Sequence, residues 1–238
     1  MSDTTGRVID LPELRNRGQV FRDRAHAGAV LSGMLDPLCG TKTRILAIPA
    51  GGVPVAAEVA MRLGLPLDLA VVSKITLPWN TESGYGAVAF DGTVRLNQEL
   101  IAALGLRPEV IDQGIARTRE KVARRVRELR GADVMPDLRH RAAVLIDDGL
   151  ASGFTMLTAV EALRHLAPDK IVVAVPTGHY DSVTRVAATV DSLYCPNIRE
   201  GYSFAVADAY EHWTDVEETT VADIMHRFDT NIVAPGTT

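Results

Sequence analysis

Two adjacent carboxylates, Asp147 and Asp148, end an apolar run at 142–146 and open a short turn that carries Ser152, Gly153 and Thr155. Carboxylates placed just beyond a strand accept hydrogen bonds from neighbouring sugar hydroxyls. They also suit a hard divalent cation, which prefers oxygen ligands. The turn behind them leads into a helical pattern, so backbone amides and the helix dipole there favour a dianionic phosphate. Gly153 permits close approach of the backbone, and the hydroxyls of Ser152 and Thr155 add donors. Residues 141–164 thus hold the parts needed to grip a phosphorylated sugar. Two further turns bear on the same chemistry: Ala50-Gly51-Gly52, where glycine lets amides approach an anion, and Ser73-Lys74, which supplies a cation. An isolated acidic pair is explained by helix capping alone, and Gly-Gly is most often a plain turn. The register of strand, acidic pair, Ser-Gly-x-Thr and helix is what argues for a site.

The elements that position these residues alternate. Helical spacing at 21–38 is followed by a strand at 44–48, a helix at 53–63 capped by Gly64, and a strand at 67–72. Residues 76–86, TLPWNTESGYG, show neither period and read as a long loop. Asp91-Gly92 between 87–90 and 93–96 signals a hairpin. A helix at 108–130 opens on Pro108 and closes at Gly131. After the focal strand and helix come a strand at 171–175, a helix at 182–188 and a strand at 192–195. Thr214 with Glu217 reads as a capping box before a last helix that buries Val221, Ile224, Met225 and Phe228. Residues 1–18 read as a polar surface arm. Such alternation predicts an α/β fold, a parallel sheet covered by helices on both faces. Ligands of such sheets sit beyond the carboxyl ends of the strands, so the turns at 49–52, 74 and 147–155 should share one rim.

The totals agree. The chain has 238 residues, 47% apolar and 23% charged, with a net charge of −5, an ordinary globular balance. The negative charge argues against general nucleic-acid binding. Two cysteines without metal spacing fit a reduced, cytoplasmic protein, and no stretch approaches the ~20 apolar residues of a membrane helix.

The segment IDDGLASGFT resembles the ribose-phosphate signature of the type I phosphoribosyltransferases: two acidic residues, three variable ones, then Thr-Gly-x-Thr, with Ser152 standing for the first Thr. FRDRAHAG, PAGGVPVAAEVA and VVSKITLPWNTESGYGAVA resemble a branch described only as predicted phosphoribosyltransferases, and the likeness extends over most of 20–228. The resemblance implies a phosphoribosyltransferase-like sheet at about 20–195 within a single domain, with a small hood from the N-terminal segment and from about 196–230. It implies a Mg²⁺-dependent transferase that takes phosphoribosyl pyrophosphate (PRPP) and a small-molecule acceptor. In that reading Asp147 and Asp148 contact the ribose and, through PRPP, the metal. Residues Ala151, Ser152, Gly153, Phe154 and Thr155 wrap the 5-phosphate. Ala50, Gly51, Gly52 and Lys74 face the pyrophosphate. The loop 76–86 is a flexible cover, with Glu82 and Tyr85 as its candidate catalytic residues. A homodimer is one assembly open to such a protein.

Two departures matter. Relatives often carry a basic residue where this chain has Ala50, so Lys74 or the 76–86 loop must supply more of the charge for the leaving group. Hypoxanthine-guanine enzymes place an Asp as general base where this chain has Ala151, which weighs against a 6-oxopurine acceptor; Glu82 and His179 are the substitutes to consider. Arg24 and His26 on one side, and His179 and Tyr210 on the other, are candidates for the acceptor side. Seven basic residues between 117 and 130, including Lys121 and Arg125, form either the wet side of an amphipathic helix or, in an RNA-binding regulator of the same fold, a track for phosphates. No aromatic residue is interleaved to stack bases. A protein that only hydrolyses PRPP is a third reading.

Overall fold

The computed structural model describes residues 6–131 and 135–232. Six strands form one parallel sheet in the order β1-β10-β8-β7-β2-β3: β1 (Arg7–Ile9), β10 (Ser192–Tyr194), β8 (Lys170–Ala174), β7 (Ala142–Ile146), β2 (Arg44–Ala47) and β3 (Leu67–Leu69). Alternation along the strands divides the interior in two. Ile45, Ala47, Val144, Ile146, Val172 and Ala174 face one core with helices α1 (Arg24–Met34), α2 (Gly52–Leu63), α4 (Pro108–Arg130) and α7 (Glu218–Ile232). Leu46, Ala143, Leu145, Ile171 and Val173 face the other with α5 (Phe154–Arg164) and α6 (Tyr180–Ala187). Strands buried on both faces need continuous apolar runs, which is what 142–146 and 171–174 supply. Among the described residues no helix is long and apolar enough to cross a membrane.

Several elements differ from the sequence expectation. The one strand expected at 67–72 divides: its first part, Leu67–Leu69, joins the parallel sheet, and Val72 begins a strand of a second sheet. Residues 7–9 are not a free arm: β1 pairs with β10 as the outermost strand, too short for alternation to register. Residues 76–86 are not a loop. They belong to an antiparallel sheet of β4 (Val72–Leu77), β5 (Asn80–Ala89) and β6 (Val94–Leu96). Gly84 and Gly86 interrupt its side-chain alternation; a Cβ on Gly86 would lie 2.6 Å from the Arg95 carbonyl oxygen, so close strand approach requires glycine there. The helix α3 (Gln98–Leu104) is an addition to the expected elements; Asn97 caps it by accepting from the Leu100 amide at 3.0 Å.

The last helix packs against α2 and α4, whereas a small layer built from the N-terminal segment and residues 206–214 sits over the carboxyl ends of the strands. Phe21 bridges Tyr210 in parallel, and the Phe21 amide donates to the Ala209 carbonyl at 3.0 Å. Phe21, Ala27, Ala209 and Tyr210 form its core, with Val206 and Trp213 packed against them. The last helix starts at Glu218, so the predicted cap at Thr214 lies too early; the Thr214 carbonyl accepts from Arg24 instead.

Candidate functional site

The strand β7 lies between β2 and β8, and its carboxyl end delivers Asp147 and Asp148 to the middle of the rim. The 49–52 turn closes on them from β2. A Cβ on Gly51 would fall 2.0 Å from Asp148 Oδ2, and one on Gly52 would fall 2.6 Å from the Ile146 carbonyl oxygen and 2.8 Å from Asp147 Cα. Any side chain at either position would push the two loops apart. The two loops expected to share a rim are therefore in contact, and glycine is what lets them touch.

The carboxylates divide. Asp148 Oδ2 accepts from Arg24 Nε at 2.9 Å, and Arg24 Nη1 donates to the Thr214 carbonyl at 2.8 Å. The Arg24 guanidinium lies 3.9 Å from the Trp213 ring centroid. The Tyr210 hydroxyl donates to the Asp148 carbonyl at 2.6 Å. Arg24 and Tyr210 thus hold the acidic loop from the hood, and Val206 packs so close to Gly149 that a Cβ there would meet it at 2.4 Å. Burial pushes the Tyr210 phenol well up, with the Asp148 charge adding to it, so it remains a neutral donor. Asp148 is raised by burial and held back by Arg24. Asp147 is raised further, by burial and then by the Asp148 charge, opposed first by the Asp148 amide, which donates to its Oδ1 at 2.9 Å, and then by Lys74.

The turn that follows presents amides. Among the described residues none accepts a hydrogen bond from the backbone N–H groups of 151–155. The carbonyls are occupied: Ser182 donates to that of Ala151, and Arg185 Nη1 to that of Ser152 at 3.2 Å. Gly153 has φ of +77° and starts α5, a conformation that glycine takes without strain. Leu150 bridges Gly178, which fixes the turn to β9 (Thr177–His179). Carbonyls anchored inward and amides left open make a cradle for an anion at a helix start.

Asp147, Thr155, Lys74 and Ala50 line one cavity of about 440 Å³ with Lys121, Arg125 and Glu218. Neither Lys121 nor Arg125 was legible as a site residue. They share a ridge of α4, four residues apart. Arg125 is buried, its Nε donating to Glu218 Oε1 at 2.6 Å and its Nη1 to Ser73 Oγ at 3.4 Å. A larger, more apolar hollow of about 660 Å³ lies between α2 and α7, lined by Pro54, Met61, Leu65, Ile224 and Phe228. Glu58 and Arg227 also line it, but no residue of the acidic turn or of the 49–52 turn does; the smaller cavity gathers Asp147, Thr155, Ala50 and Lys74, which makes it the candidate site. Among the described residues no three His, Cys, Asp or Glu side chains could hold a metal by themselves. Asp147 offers oxygens to an open cavity where burial penalises its own charge, which fits a cation brought in by an anionic ligand.

Several expected roles need correction. Tyr85 is fully buried; its hydroxyl donates to the Val110 carbonyl at 3.4 Å, and it packs so tightly on Gly114 that a Cβ there would lie 2.0 Å from the phenol oxygen. It anchors α4 to β5 and does not face the cavity. The Glu82 side chain lies outside the described residues. His179 caps α6: Nδ1 accepts from the Asp181 amide at 3.3 Å and Nε2 meets the Gly201 carbonyl at 3.0 Å. Both nitrogens are engaged, which leaves no free lone pair for a general base. His26 Nδ1 accepts from the Arg22 amide at 3.1 Å, a local role beside Phe21. Arg24 and Tyr210 support Asp148 instead of facing an acceptor. Signals for Arg24 and Lys121 were present as charge, but neither has its site neighbours close by in sequence.

Against known proteins, the Phosphoribosyl transferase domain family matches residues 36–209. The chain belongs to this family. Two curated Mycobacterium tuberculosis proteins, from strains H37Rv and CDC 1551 and each described as a "putative phosphoribosyl transferase", are 35% identical over 219 residues, 92% of this chain and 49% of theirs. The chain therefore spans about half the length of the curated relatives it matches. The crystal structure of TT1426 from Thermus thermophilus superposes with a TM-score of 0.69 at 32% identity, over 87% of this chain and 98% of that one. The parallel sheet and its flanking helices are thus the fold of a phosphoribosyl transferase domain.

Proposed function

We propose that this chain transfers 5-phosphoribosyl from PRPP to a small-molecule acceptor and releases pyrophosphate. The observation that supports this most is the contact of Gly51 and Gly52 with Asp148 and Asp147, beside the open amides of 151–155. That arrangement offers one binding region each for a diphosphate, a ribose and a monophosphate. Asp147 accepts hydrogen bonds from the ribose hydroxyls, and Asp148, held by Arg24, fixes the loop. The 151–155 amides and the Thr155 hydroxyl hold the 5-phosphate. The 49–52 turn and Lys74 hold the pyrophosphate.

In the reaction the bond from ribose C1 to the pyrophosphate oxygen breaks, and its electron pair leaves with pyrophosphate. The acceptor lone pair forms the new bond at C1, and the acceptor gives up its proton. Asp147 and Asp148 would face a Mg²⁺ that arrives with PRPP, and that ion would supply charge neutralisation for the leaving group. The protein contributes fixed dipoles and cations that stabilise charge developing there, and alignment of the acceptor. Burial of Arg125 against Glu218 takes that cation out of any surface track for RNA, which favours the transferase reading.

The test is pyrophosphate release from PRPP and Mg²⁺ across a panel of bases, amines and hydroxyl compounds, with Asp147→Asn as control. Acceptor-dependent release that the variant loses is expected. Release that no acceptor increases would replace transfer with hydrolysis, and an unimpaired variant would displace the site.

A further inference from the structure

We infer that α4 completes the pyrophosphate end of the site: Lys121 and Arg125 form a three-cation subsite with Lys74, and Glu218 of α7 is the internal carboxylate that the incoming diphosphate displaces from Arg125. This rests on the PRPP reading and assigns the part of it that the sequence left open. The turn before Gly51-Gly52 has Ala50 and no cation, and β4 brings only Lys74. On the opposite wall, Lys121 and Arg125 line the same cavity as Lys74, Asp147 and Thr155. Three cations there face two carboxylates, Asp147 and Glu218. Removing Glu218 from Arg125 leaves three cations against one carboxylate, a field suited to a polyanion.

The geometry makes the exchange feasible. Arg125 is 7% exposed, and its Ser73 contact holds the guanidinium at the cavity while Nε is given to Glu218. A buried guanidinium needs an anionic partner, and a doubly charged oxyanion presenting several acceptors outcompetes one carboxylate. Glu218 is the first residue of α7, and its side chain is 48% exposed, so it can move into water on release. The long helix is fixed in register by the Tyr85–Gly114 contact, which sets Lys121 two turns farther along.

The experiment measures binding of inorganic pyrophosphate and, separately, ribose 5-phosphate to the full chain by calorimetry. Lys121→Gln and Glu218→Gln are compared with wild type and with Arg124→Gln, a neighbouring charge that pairs with Glu128. Lys121 is exposed, so its loss leaves the fold intact. Lys121→Gln should weaken pyrophosphate about tenfold, the loss of one charge-assisted hydrogen bond, with ribose 5-phosphate unchanged. Glu218→Gln should tighten pyrophosphate by several-fold, and Arg124→Gln should leave it unaltered. Pyrophosphate affinity indifferent to Lys121, weakened by Glu218→Gln, or lowered as much by Arg124→Gln overturns the subsite. Failure of wild type to bind ribose 5-phosphate, with pyrophosphate binding still dependent on Lys121, would sink the PRPP reading and leave this subsite standing.

Discussion

Replacing Arg24 with Met removes the hood's hold on the acidic loop while keeping most of the volume. In the folded chain the Arg24 and Asp148 side chains are 10% and 15% accessible and 2.9 Å apart. Breaking a buried pair by deleting one member costs about 3–5 kcal/mol. Partial exposure and the ability of Asp148 to take up a proton put this case at the lower end, about 3 kcal/mol. Loss of the stacking on Trp213 adds about 1 kcal/mol. For a chain of this size that total lowers the melting temperature by roughly 8–16 °C at pH 7.5. The pH dependence separates the ionic part from simple packing. Burial already raises Asp148 above the ordinary carboxylate range, and Arg24 opposes this; without Arg24 it rises further. A carboxylate raised on folding penalises the native state above its unfolded pKa of about 3.9, increasingly until the folded value is passed. The deficit of Arg24→Met against wild type should therefore shrink as pH falls toward 4, leaving about 1 kcal/mol from the lost stacking. Urea titrations at pH 4.5, 6 and 7.5 give the comparison. A deficit independent of pH, or one below about 1 kcal/mol at pH 7.5, refutes the coupling between Arg24 and Asp148.

Other outcomes follow from the same contacts. Asp147 is raised by burial and by Asp148, so it costs the wild-type fold stability above its unfolded pKa; Asp147→Asn should stabilise by about 1 kcal/mol at pH 7.5, and the gain should vanish near pH 4 in thermal melts. Gly52→Ala would place a Cβ against backbone 2.6 Å away and should cost about 2 kcal/mol or more, read by urea unfolding, together with PRPP affinity. Tyr85→Phe should lose under about 1 kcal/mol for its long hydrogen bond and keep turnover within about twofold, whereas Tyr85→Ala should lose about 3–5 kcal/mol. His179→Asn should leave the pH profile of turnover unchanged, because both ring nitrogens already serve the backbone.

The sequence made the site's centre legible because its signals are local. An apolar run, two acids, a glycine with positive φ and a helix occupy one short stretch, and the structure places them as β7, the acidic turn and α5. What it hid was set by tertiary contact. Arg24 meets Asp148 across 124 residues and Arg125 meets Glu218 across 93, so neither pairing leaves a local pattern. β1 was hidden by its three-residue length. β5 was hidden because glycines needed for close strand approach erase the alternation that identifies a strand. Tyr85 looked like a cover residue for the same reason: once its surroundings are read as a loop, an aromatic there reads as exposed, whereas Tyr85 sits at the register shift between β4 and β5 and packs beneath α4.

The central claim is that the acidic turn and the glycine turn together bind PRPP. Calorimetric titration of PRPP with Mg²⁺ into wild type and Asp147→Asn, at a pH where both are folded, tests it directly. Saturable binding by wild type, weakened about 10- to 100-fold in the variant by loss of charged acceptors for the ribose hydroxyls, is the predicted result. No binding by wild type, or equal binding by both, would contradict it.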